Sequence, residues 1–291
     1  MSTTTALGEM TGRICVVTGA NRGIGRATAE GLARLGATLV LVCRREQDGA
    51  EVAAAIGRAG SCPTPEVVQA DLSSQAQVRA GAAEILGRHA AVHVLINNAG
   101  LVARERTVTV DGLEAQLAVN HLAPFLLTHL LLPALRAAAP SRIITVSSTT
   151  HHGAMVDFDD LQSERDYDPA DVYAITKLMN VLFTYELARR LEGSGVTANC
   201  LHPGAVATRL LADYMRVPVV AGVLAHAFGA SPEHGVDTVL YLAAAPEVAS
   251  VSGRYFANRR EARSSPASYD AATARRLWEV SERLTGIRSA A

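Results

Sequence analysis

Lysine is nearly absent from this chain. Of 27 lysine and arginine residues only Lys177, in the stretch DVYAITKLMN, is lysine. A surface cation can be either residue, so one lysine among arginines marks a site that needs a compact ammonium on a flexible stem, not a planar fork. Net charge is also lacking, at −1. That removes any global electrostatic reason to expect nucleic acid or an anionic membrane as partner. The four cysteines, at 15, 43, 62 and 200, show no CxxC or CxxH spacing, which excludes a disulfide frame and points to free thiols in a reducing compartment. Long apolar runs are missing as well. The stretches around 125–135 and 217–230 are interrupted by His, Pro or Gly and fall short of a spanning helix. The opening MSTTTALGEM has neither a basic flank nor an apolar core, so it does not read as a signal peptide and a cytoplasmic protein is expected.

What is present is a chain of 291 residues, 49% apolar but only 4% aromatic, long enough to bury a sizeable core. The runs RICVVTG, TLVLVCR, VHVLINN, RIITVSS and VTANCLH are short, β-branched and nearly continuously apolar. Such runs fit strands buried on both faces of a parallel sheet. Helical patterns fall between them, near 24–35, 46–59, 74–88, 111–137 and 169–192. A weaker strand, PEVVQA, precedes Asp71. GRYFAN follows a helix near 232–245, and a last helix near 270–284 carries the single tryptophan, Trp278. Strand alternating with helix predicts βαβ units in a doubly wound α/β sheet. No repeat or low-complexity linker divides the chain, so one domain is expected over 1–291. The apolar, Gly- and Pro-punctuated segment 205–230 breaks the regularity.

The first strand runs into Thr18-Gly-Ala-Asn-Arg-Gly-Ile-Gly25, which opens a helix. Gly19, Gly23 and Gly25 allow a sharp turn and close backbone approach to a pyrophosphate. Asn21, Arg22 and Ile24 lie between them, and the helix N-terminus offers unpaired N–H groups. The spacing is GxxxGxG, not GxGxxG, and a glycine turn alone is a weak signal. The end of the second strand sharpens it. An NAD site places an acid there for the ribose 2′-hydroxyl. This strand ends Cys43-Arg44-Arg45, with Cys43 in the place of the acid and two guanidiniums suited to a 2′-phosphate. Arg22 adds a third cation, and the pattern predicts NADP(H).

These motifs occur in order with Asp71-Leu72, Asn97-Asn98-Ala99-Gly100, Asn120, Ser148, Tyr173-x-x-x-Lys177 and Pro203-Gly204. The ordered set resembles the short-chain dehydrogenase/reductase family. VSSTTHHG, LARRLEGSGVTANCLHPG and GRYFANRREARSSP are similar to its retinol dehydrogenase-like branch. The resemblance spans about residues 11–285 and implies a single Rossmann-type domain with a seven-stranded parallel sheet and helices on both faces. The cofactor half would cover about 11–145, the catalytic half about 146–285, with 205–230 as a substrate lid.

It implies, too, that Tyr173 exchanges a proton with the substrate and that Lys177 hydrogen-bonds the nicotinamide ribose. Ser148 would bond the substrate oxygen, and Asn120 would kink its helix to hold a relay water. Asn98, Ala99 and Gly100 would pack under that ribose, with Asp71 and Leu72 near the adenine. Pro203, Gly204, Val206 and Thr208 would contact the nicotinamide amide. Independently of the resemblance, Tyr173 and Lys177 stand four apart on a helix and so share a face. An ammonium beside a phenol favours the phenolate.

The expected activity is interconversion of a hydrophobic ketone or aldehyde and its alcohol by hydride transfer, with a homodimer or tetramer as the candidate assembly. A redox-neutral epimerase using the same residues, or a non-catalytic NADP(H) sensor, stays open. Leu178, Val181, Leu182 and Tyr185 form an apolar face that pairs two subunits or faces the sheet. His151, His152 and Met155, just after Ser148, are expected to line the substrate cleft. Asp157, Asp159 and Asp160 read as a solvated turn, not a metal site, and Arg254 to Arg263 as basic surface.

Overall fold

The computed structural model describes residues 7–204 and 232–287, with the side chains of 232–234 left aside. Two apolar layers sandwich one sheet, and the strand pattern explains why. In β1 (Ile14–Thr18), Cys15 and Val17 face one layer while Val16 faces the other. In β2 (Thr38–Cys43), Leu39, Leu41 and Cys43 oppose Val40 and Val42. Period-two alternation between two apolar faces is what a near-continuous hydrophobic run produces when helices cover both sides.

The remaining elements follow in chain order. α1 (Gly23–Arg34) leads to β2, then α2 (Glu46–Ala59) and β3 (Glu66–Gln69). α3 (Gln75–Arg88) and β4 (Val94–Asn97) precede the short helical turn α4 (Ala115–Leu117) and α5 (Ala123–Ala137). β5 (Ser141–Val146), α6 (Pro169–Arg190) and β6 (Val196–His202) complete the central region. α7 (Pro232–Ala244), β7 (Tyr255–Ala257), β8 (Arg260–Glu261) and α8 (Ala271–Thr285) follow. The strand order is β3-β2-β1-β4-β5-β6-β7-β8. All pairs are parallel except β7–β8. The Rossmann-type α/β fold is therefore present. The expected seven-stranded parallel sheet gains an antiparallel eighth strand of two residues, too short for any periodicity to announce.

Chain order reverses between β1 and β4. In doubly wound sheets the crevice at that switch, beyond the strands' C-terminal ends, is where ligands bind. The glycine turn after β1, Asn98 to Gly100 after β4, Ser148 after β5 and Pro203-Gly204 after β6 all lie at this edge.

Two expectations about helices need correction. The helix expected over 111–137 does not run evenly. Residues 107–114 form a turn closed by an isolated Val108–Glu114 bridge, and Ala118–Leu122 adopt a π-helical turn between α4 and α5. Together, Ala115–Ala137 are long and apolar enough to cross a membrane by length and composition, contrary to the sequence reading. Yet 78% of their most apolar window is buried inside the protein. The apolar face of α6 is likewise internal. Leu178 and Leu182 pack with Ala274 and Leu277 of α8, while Val181 packs with Cys200 and Tyr255 of the sheet. Those three side chains are covered within the chain, and Tyr185 is half-buried with its hydroxyl bonded to Ser264 at 2.7 Å.

Candidate active site

The cofactor side is built on turns. Gly19 and Gly23 have φ of +64° and +54°, a region that costs other residues steric strain. A Cβ on Gly25 would stand 2.2 Å from the Gly19 carbonyl oxygen and 2.5 Å from Asn98 Nδ2, so only glycine allows this close packing of turn and helix. Arg22 caps α1 without a side-chain hydrogen bond, and the first turn holds no acid. Its leading amides are therefore available to an anion.

Thr18 joins this turn to β4. Its Oγ1 donates to Ile96 O and accepts from the amides of Asn98 and Ala99, both at 3.0 Å. Asn98 Nδ2 donates back to Thr18 O at 2.8 Å. Sequence reasoning passed over Thr18, although a hydroxyl at a strand's last residue is the available signal.

Arg44 and Arg45 are both exposed at the end of β2. Arg45 is bound to Asp48 at 2.9 Å, and Asp48 also accepts from Asn21 Nδ2 at 3.3 Å. The acid three residues on thus engages Arg45 and ties it to the glycine turn, leaving Arg44 the better placed of the two for a further anion. Cys43 points inward into the core beneath α2, and burial pushes its thiol up to about 11. It does not stand on the surface beside Arg44. All four cysteines are free. One carboxylate oxygen of Asp71 accepts from the amide and hydroxyl of Ser73, and Leu72 beside it is half-buried.

On the catalytic side, α6 starts well defined. Asp168 accepts from the amides of Ala170 and Asp171, and Pro169 takes the first helical position. Two turns on, Lys177 is only 2% exposed. Its Nζ donates to Val146 O at 3.1 Å and lies 5.3 Å from the Tyr173 ring centroid. Burial pulls the ammonium down to about 8. Ser147 Oγ donates to the Lys177 carbonyl at 2.8 Å, so β5 grips this residue at its backbone and its tip.

Gly100 lies against the same group: a Cβ there would be 3.5 Å from Lys177 Nζ and 3.3 Å from Asn120 Oδ1. Asn120 is fully buried in the π-helical turn. Its Oδ1 accepts from Leu101 N at 2.8 Å; its Nδ2 donates to Leu101 O at 2.9 Å and to Thr176 Oγ1 at 3.1 Å. Thr176 in turn donates to Tyr173 O at 2.7 Å. π-turns of this kind concentrate at functional sites.

Ser147 and Ser148 separate clearly. Ser147 is buried and spent on Lys177, whereas Ser148 is half-buried and, among the described residues, its Oγ accepts only a long 3.3 Å bond from Thr150 N. Tyr173 is 7% exposed, four residues before Lys177.

The structure thus draws together Gly100, Asn120, Tyr173 and Lys177, with Ser148 at the end of the neighbouring strand. His151 does not line a cleft, because it is fully buried; His152 and Met155, expected beside it in the cleft, are exposed on the surface. The acids after it form turn caps, with Asp160 accepting from the amides of Glu164 and Arg165. Pro203 and Gly204 are half-buried beyond β6. Val206, Thr208 and the lid expected over 205–230 lie outside the described residues.

Comparison with known proteins agrees with this geometry. The family model described as short chain dehydrogenase matches residues 13–216. Retinol dehydrogenase 14 of Mus musculus is 44% identical, covering 96% of this chain and 88% of that protein. Retinol dehydrogenase 12 of Homo sapiens is 40% identical over the same shares. An uncharacterized protein from Mycobacterium paratuberculosis has a solved structure that superimposes with a TM-score of 0.80 at 33% identity, covering 98% of this chain and 97% of that one. Another, described as an NAD(P) dependent gluconate 5-dehydrogenase from Beutenbergia cavernae with bound NADP at low occupancy, gives 0.69 at 32% identity over 86% and 96%. With its motifs, fold and relatives in agreement, the chain belongs to the short-chain dehydrogenase family.

Proposed function

We propose that this oxidoreductase is NADP(H)-dependent and interconverts a hydrophobic ketone or aldehyde with its alcohol. The observation that carries the reading is the buried Lys177 ammonium, next to Tyr173 and Asn120 and open to Gly100 at the switch of the sheet. A buried charge is costly, and its neighbours are the residue types that proton transfer needs. The uncapped N-terminus of α1 and the glycine turn suit a pyrophosphate. Arg44 suits a 2′-phosphate, in keeping with the NADP named for the Beutenbergia cavernae structure.

A bound nicotinamide supplies or takes up the hydride. Tyr173 exchanges the proton at the substrate oxygen, and Ser148 Oγ–H donates a hydrogen bond that orients that oxygen. Lys177 holds positive charge beside the phenol and favours the phenolate. Asn120 ties its turn to Leu101 and to Thr176, the residue before Lys177, and meets Lys177 across Gly100. The names of the retinol dehydrogenase relatives support an apolar substrate.

The test pairs a panel of bulky carbonyls with cofactor titration. Net NADPH consumption is expected, which an epimerase or a sensor would not give. Arg44→Ala should weaken NADPH about ten- to a hundredfold and leave NADH nearly unchanged, since a charge-assisted hydrogen bond contributes roughly 1.5–3 kcal/mol. Equal losses for both cofactors would overturn the NADP assignment.

A further inference from the structure

His151 has no part in the reading above, yet it sits three residues from Ser148 and is fully buried. It lies in the 3₁₀ turn Thr149–Gly153 that leaves β5, a turn capped by Ser148 itself. Both ring nitrogens are used. Nε2 is met by the amide of Ser265 at 3.1 Å. An amide N–H only donates, so Nε2 is the acceptor and carries no proton. Nδ1 therefore carries it and donates to the carbonyl oxygen of Ser148. The neutral Nδ1–H tautomer follows from the geometry alone. Burial disfavours the charged ring further; the bond to the Ser148 carbonyl offsets part of this, and the neighbouring His152 adds to it. The ring packs against His152 at 4.3 Å and Tyr255 at 5.0 Å between centroids.

Ser265 belongs to a second tied structure. Its carbonyl accepts from Ser268 Oγ, which bonds Ser264 Oγ at 2.6 Å, and Ser264 Oγ meets Tyr185 OH of α6 at 2.7 Å. One imidazole thus couples the Ser148 carbonyl to the segment after β8, and through it to the helix of Tyr173 and Lys177. Meanwhile, among the described residues Ser148 Oγ has only its long bond to Thr150 N, so the direction of that hydroxyl depends on how its backbone is held.

We infer that His151 is a positioning residue: its Nδ1–H fixes the Ser148 carbonyl, and hence the aim of Ser148 Oγ at the substrate oxygen. This rests on the reading of Ser148 under Proposed function. Displacement of an orienting group by about 1 Å can cost on the order of a hundredfold in rate.

The two bonds can be removed separately. Asparagine at 151 can place an amide N–H where Nδ1 stands and keep the bond to Ser148. Glutamine reaches the Nε2 position and keeps only Ser265. His151→Asn is therefore expected within about fivefold of the parent kcat. His151→Gln and His151→Phe should fall about ten- to a hundredfold, with cofactor Kd unchanged and similar Tm losses in all three variants. Activity that follows Tm loss, or three variants equal to the parent, would overturn the inference. Nitrogen-15 NMR of the imidazoles in the full-length protein without substrate gives a separate readout. A proton on His151 Nδ1 is expected, and an Nε2–H tautomer would sink the proposal even if turnover behaved. A parent that turns over no carbonyl while showing the Nδ1–H ring would instead defeat the functional reading and leave the bridge standing.

Discussion

At the scale of single residues, Lys177 carries opposite consequences for stability and for chemistry. Burial pulls its ammonium down from the ordinary 10.5 to about 8, which amounts to about 3 kcal/mol against the charged form. The sign follows from a depressed base. The destabilisation is fully present below about pH 8, declines between about 8 and 10.5, and is gone above. Lys177→Met removes the buried charge, so it should raise unfolding free energy at pH 7 by up to about 3 kcal/mol, less the lost bond to Val146 O, while abolishing turnover. Urea melts at pH 7 and pH 10 check this, and a margin independent of pH would show that the ammonium is not the cause. Lys177→Arg keeps charge but not size or shape, and kcat should fall about a hundredfold or more. Steady-state kinetics within about threefold of the parent would remove the meaning read into the solitary lysine. That rarity was legible from composition. The Val146 carbonyl that holds the Nζ was not, because a backbone acceptor on another strand leaves no mark in a sequence.

Among the elements, the β1–α1 turn is the most demanding. In Gly25→Ala the new methyl meets the Gly19 carbonyl, and a backbone atom cannot swing aside as a long side chain can. The turn must shift, so cofactor affinity should fall at least about tenfold and stability by about 1–3 kcal/mol. Gly60→Ala serves as the control. Gly60 has φ +71° at the end of α2 with nothing within 4 Å of a built Cβ, so the change costs backbone strain of about 1–2 kcal/mol and leaves cofactor binding intact. Calorimetric titration of both variants separates the two kinds of glycine. Sequence announced the glycine turn because strand, turn and helix are neighbours in the chain. Asn120 entered through the resemblance, as a kink that holds a relay water; the three bonds that hold it in place run to Leu101 and Thr176 and leave no local pattern. The face of α6 was ambiguous for the same reason: apolar residues show that something covers them, not whether it is α8 or a second subunit.

Over the whole molecule, α8 is the element that completes the second apolar layer. Trp278 is 3% exposed, with Phe125 at 5.1 Å and Phe183 at 5.9 Å between ring centroids and the Arg190 guanidinium over its face at 4.2 Å. Trp278→Ala should lower stability by about 3–5 kcal/mol and Tm by about 10 °C. Scanning calorimetry with a loss under about 1 kcal/mol would mean that α8 docks without its tryptophan. Because α8 also lies on Leu178 and Leu182, the catalytic helix is held by residues far later in the chain. At about 5–20 residues per second of synthesis, α6 leaves the ribosome seconds before its cover exists. Its apolar face then stands bare, so newly made chains are most vulnerable to aggregation and to chaperone capture in that interval, and a stalled or clipped product would display the catalytic motif without a helix firm enough to use it.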